Sequence, residues 1–113
     1  MIIWLRQYFV GGGGYLPITA SQGTTIISGG LVRNGRMVTL TVKFKRNDTG
    51  GDTTFIFSET NFYIGDINYP LTLTNTIGQK VDGKPRWWNN SAVLGATITA
   101  NTEYIISGSF VIP

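Results

Sequence analysis

From Val38 to Lys45 the chain alternates without a break: Val38, Leu40, Val42 and Phe44 are apolar, and Thr39, Thr41, Lys43 and Lys45 are polar. Successive side chains of an extended strand point to opposite faces, so this segment predicts a strand with one face in a core and the other in water. No helical period runs for a comparable length elsewhere in the chain. Just upstream, Asn34 and Gly35 both tolerate positive φ, and the pair predicts a type I′ hairpin turn joining residues 30–33 to this strand. Downstream, residues 47–52 (NDTGGD) read as a second turn, and residues 53–58, with Phe55 and Phe57, as the next strand.

Shorter strand candidates follow at residues 62–64, 71–74 and 92–99, separated by Gly, Asn and Pro. The Gly29-Gly30 pair reads as a break. Residues 104–112 close the chain, with Tyr104, Ile106, Phe110 and Ile112 on one face and Ile105 and Val111 on the other, the pattern of a strand covered on both sides. Many short strands between turns predict an all-β fold, a small antiparallel β-barrel or sandwich. At 113 residues one core is expected, and the body is assigned to residues 15–113. Charged residues are only 13% of the chain, against about 25% in a typical domain, so hydroxyls and amides must supply much of the wetted surface.

Residues 1–14 are assigned to an apolar arm, MIIWLRQYFV, and a hinge of consecutive glycines, Gly11 to Gly14. The arm is shorter than the ~20 apolar residues that cross a bilayer and lacks a basic leader and a small-residue cleavage site, so membrane insertion and a signal peptide are not expected. An apolar arm on a hinge suggests packing on another subunit, with Ile2, Ile3, Trp4, Leu5, Tyr8 and Phe9 as candidate interface residues. An ordinary first strand of the same body remains the alternative.

The chain contains neither histidine nor cysteine. That excludes Ser-His-Asp and Cys-His nucleophiles, thiolate metal sites and disulfides. The carboxylates are scattered through turns, so no general acid/base pair is indicated, and NDTGGD lacks the spaced ligands of a calcium loop. The reading is of a protein that is not an enzyme, with no catalytic residues, metal or cofactor. The net charge of +3 is concentrated at Arg33, Arg36, Lys43, Lys45 and Arg46, which reads first as a solvated polar strand face, the alternative being attraction of a phosphate-bearing polymer or a neighbouring acidic subunit. No exposed aromatic lies among these cations, which argues against nucleic acid as a partner.

The segment richest in chemistry is Asp82 to Ser91, DGKPRWWNNS. Sugar rings present apolar C–H faces that stack on indole, and their hydroxyls bond amides and carboxylates, so Asp82, Lys84, Arg86, Trp87, Trp88, Asn89 and Asn90 form a candidate saccharide-binding set. In an extended chain Trp87 and Trp88 point to opposite faces, so one is expected in the core. A subunit interface is the competing reading, because Trp and Arg are enriched there.

The segments GGLVRNGRMVTLTVKF (29–44) and ITANTEYIISGSFVIP (98–113) together resemble the C-terminal head domain of bacteriophage receptor-binding proteins of tail fibres and baseplates. The resemblance implies a β-barrel that assembles as a homotrimer, resides in the virion, contacts other virion proteins and holds host cell-surface polysaccharide near subunit interfaces. It places Arg86, Trp87, Trp88 and Asn89 in a loop suited to receptor contact. The chain departs from that pattern in its apolar arm and in lacking a fibrous shaft upstream. The alternative function is a structural virion component, a capsid decoration, cement or baseplate protein assembling through the arm.

Overall fold

The computed structural model describes residues 13–59 and 67–113, with the backbone alone for residues 13–15. The arm residues Ile2 to Phe9 and the strand expected at 62–64 lie outside the described residues. The fold is all-β, two antiparallel five-stranded sheets packed together. The strands are β1 (Gly13–Leu16), β2 (Thr19–Ala20), β3 (Thr24–Asn34), β4 (Met37–Arg46) and β5 (Phe55–Ser58), then β6 (Asn68–Pro70), β7 (Thr72–Asn75), β8 (Arg86–Trp88), β9 (Ser91–Val93) and β10 (Glu103–Val111). The first sheet runs β1-β3-β4-β10-β7 and the second β2-β5-β9-β8-β6. The two shortest passages of the chain between the sheets are Pro17 and Ile18 after β1 and Leu71 after β6. Both passages join edge strands, and those of the second sheet are only 2 and 3 residues long, which leaves little edge for another chain to pair with.

The alternation of β4 is realised in full: Val38, Leu40, Val42 and Phe44 are buried, whereas Thr39, Thr41 and Lys45 are exposed. Opposite them on β10 stand Phe110, Gly108, Ile106 and Tyr104 in continuous register. The second sheet meets this layer with Phe57, Ala92 and Trp87. At roughly 1.5–3 kcal/mol for each large apolar side chain withdrawn from water, this shared layer is the main source of stability.

Several expectations are corrected. Asn34 pairs with Met37, so the hairpin turn is Gly35-Arg36 and not Asn34-Gly35. Gly35 alone of the two has positive φ, +64°, which matches the type II′ requirement for glycine at the first central position. Gly29 and Gly30 do not break the chain but lie inside β3, beside a bulge at Ile27 between Ile26 and Ser28. Gly29 sits at φ +88°, and a Cβ there would lie 2.0 Å from the Thr41 carbonyl oxygen. Gly13 and Gly14 pair with Asn34 and Arg33, so half of the expected hinge is strand and the body begins before residue 15. The strand expected over 92–99 ends at Val93. Finally, the outer face of β10 is only partly covered, with Ile105 half-buried and Val111 46% exposed.

Arg46 is also removed from the basic surface cluster. It shares the inward face of β4 and is 6% exposed. Its guanidinium donates to Thr24 Oγ1 at 2.6 Å, to the carbonyls of Gln22 and Phe55, and to both Asp48 carboxylate oxygens, at 3.0 and 3.2 Å. One cation thereby ties the 47–52 turn to β3 and β5. The hydrogen bond from Arg46, helped by the Gly50 amide, holds the Asp48 carboxyl below the usual aspartate range.

Candidate functional site

The β8–β9 hairpin builds the site. Trp88 pairs with Ser91, leaving Asn89 and Asn90 as a two-residue turn with Asn89 at φ +56°. Because successive strand residues face opposite ways, Trp87 points inward and Arg86 and Trp88 point outward. Trp87 is fully buried, tilted against Phe57 and Phe110 at centroid distances of 6.0 and 5.6 Å, and its Nε1 donates to the Asn89 carbonyl. It is a core residue, and its place in the saccharide set is withdrawn.

The outward face gains a second aromatic by a break in regularity. Phe55 pairs with Val93 and Phe57 with Ala92, so Ile56 is an extra residue in the ladder. A bulge of this kind re-aims the strand beyond it. Phe55 and Phe57, two apart, would share a face in a regular strand. Here Phe57 is fully buried and Phe55 is 42% exposed on the opposite face. Phe55 lies beside Trp88, the rings near parallel at 14° with centroids 6.1 Å apart. Val93, flanked in register by Phe55 and Arg86 on this same face, is only 1% exposed, so the outer surface carries a small apolar floor of its own.

Phe55 and Trp88, with Thr53, Asn68 and Arg86, line an open cleft of about 420 Å³. Arg86 is oriented by its own surroundings. Its Nη1 donates to the Lys84 carbonyl at 2.8 Å and lies 3.7 Å from Asp52 Oδ1. The result is an apolar platform bordered by a guanidinium, an amide and a hydroxyl. A second cleft, about 390 Å³, shares Asn68 and Arg86 with the first and adds Pro70, Leu71, Lys80, Gly83, Lys84 and Pro85.

Of the residues singled out in the sequence, Arg86 and Trp88 come together in the first cleft and Lys84 joins the second. Asp82 is exposed and lines neither. Asn89 and Asn90 belong to the turn, where Asn90 Oδ1 accepts from Ser91 Oγ and Asn89 Oδ1 is buried with no partner among the described residues. Phe55, Thr53 and Asn68 were not singled out. No local signal marks Asn68, and Phe55 follows the strand pattern that the bulge then overrides. Among the described residues no three acidic, histidine or cysteine side chains gather as a metal site. Comparison with protein-family models, curated proteins and solved structures found no match to the chain.

Proposed function

We propose that this chain is a non-catalytic bacteriophage virion protein, the head of a tail fibre or baseplate, that binds host cell-surface saccharide through the outer face of its second sheet. The observation that carries the reading is the Phe55–Trp88 pair, held partly exposed in an open cleft with Arg86, Asn68 and Thr53 at its border. An apolar platform with a few convergent polar groups suits a sugar ring, which offers C–H faces to the arenes and hydroxyls to the rim. The likeness of residues 29–44 and 98–113 to receptor-binding heads supplies the virion setting and a homotrimer.

The test is adsorption of purified protein to host cells and to isolated wall polysaccharide. Trp88→Ala and Phe55→Ala are expected to fold as the parent and to lose most adsorption. Undiminished adsorption by both folded variants sinks the saccharide reading. Sedimentation velocity on the full chain should return a trimer mass, and a monomer at all concentrations would remove that part of the proposal.

A further inference from the structure

We infer that the saccharide bound here carries an oxyanion, a carboxylate or phosphate substituent, which the second cleft receives while the aromatic cleft holds the ring. The inference rests on the saccharide reading and adds the charge class of the ligand. Lys80, Lys84 and Arg86 all line the second cleft, and among the described residues no carboxylate lines it. Among the described residues neither lysine has a carboxylate within 4.0 Å, whereas Lys43, Arg46 and Arg86 each have one. Two ammonium groups without a carboxylate partner among the described residues, set in a concave surface, raise the local potential for anions.

Both lysines sit on a backbone that is held in place. Lys80 forms a bridge with Thr74 of β7, and the next residue, Val81, donates to the Leu73 carbonyl at 2.8 Å. The Lys84 amide donates to the Gly95 carbonyl at 2.7 Å, and the Pro85 carbonyl accepts from Leu71 at 2.9 Å. The two clefts meet at Asn68 and Arg86. A ring on Trp88 can thus extend an acidic group past the guanidinium toward Lys84 and Lys80. Arg86 serves both halves, since its planar fork suits an oxyanion and its edge borders the platform.

The test is a glycan array carrying neutral, uronate-bearing and phosphate-bearing oligosaccharides, probed with the full chain and with Lys80→Gln/Lys84→Gln and Trp88→Ala. Acidic probes are expected to bind ~10-fold or more tightly than neutral counterparts at low ionic strength, with the margin shrinking in high salt. The double lysine variant should fall to the neutral level on acidic probes and keep its neutral binding, while Trp88→Ala loses both. The preferred acidic arm, uronate or phosphate, identifies the substituent. Equal binding of neutral and acidic probes, or an acidic preference unchanged in the double variant, overturns this inference and leaves saccharide binding standing. Absence of binding to every probe overturns both.

Discussion

The outer faces of the two sheets are made from the same strand chemistry and come out opposite in character. On the first sheet, β4, β10 and β7 run in unbroken register, so Thr41, Ser107 and Thr72 line up across three strands. Thr39 and Ser109 share a hydrogen bond at 3.2 Å, and Lys43 reaches Glu103 at 3.8 Å. The middle of this face is a hydroxyl surface, and its exposed apolar side chains, Met37 and Val111, pair at one end. On the second sheet the bulge at Ile56 breaks the period, and Phe55 emerges beside Trp88 over a buried Val93. A strict period of two yields a solvated wall, whereas one extra residue yields a platform. This difference is the reason the proposed binding face is assigned to the second sheet.

The largest effect that would sharpen this contrast separates the adjacent indoles. Trp87→Ala should cost ~3–5 kcal/mol of unfolding free energy in urea titrations, as expected for a large aromatic removed from a core. Trp88→Ala should cost far less and act on binding. Equal costs would mean that the two faces of β8 are not distinguished as described.

Next comes the buried cation behind the platform's strand. Arg46→Ala strands Thr24 Oγ1 and two backbone carbonyls, and a loss of ~1–3 kcal/mol is expected by the same denaturation, from unsatisfied buried groups. Amide exchange should quicken in the 47–52 turn, which leads into Thr53 and Phe55, and unaltered exchange there would sever the link drawn between Arg46 and the cleft.

A smaller effect is the pH response of that tie. Asp48 is held below its usual range, so its stabilising contribution is present above about pH 4 and is lost as pH falls through the lower folded-state value. Stability should therefore drop more steeply in acid for the parent than for Asp48→Asn. Coincident acid profiles would discount the carboxylate.

The smallest effects belong to the hydroxyl wall. Glu103→Ala should change stability by ~0–1 kcal/mol, given that Lys43 and Glu103 are both solvated. Thr39→Val should stay within ~0.5 kcal/mol, and both variants should adsorb to host polysaccharide like the parent. Loss of adsorption with either would move the binding surface to the first sheet.

The sequence by itself determined the fold class, the inward face of β4 and the opposed directions of Trp87 and Trp88. These follow from local geometry, because side-chain alternation needs no knowledge of the partner strand. Tertiary structure decided which indole is core, since either face of β8 could have met the first sheet. It decided that Arg46 lies inside, because a long charged side chain on an apolar face is tolerated only where the fold gathers acceptors around it. It also decided the bulge at Ile56, which comes from matching β5 to β9 and leaves no mark in the alternation of Phe55 and Phe57. The cleft brings Thr53, Phe55, Asn68, Arg86 and Trp88 together from three strands and a loop. No segment of the sequence contains that set, and it exists only once the second sheet has assembled.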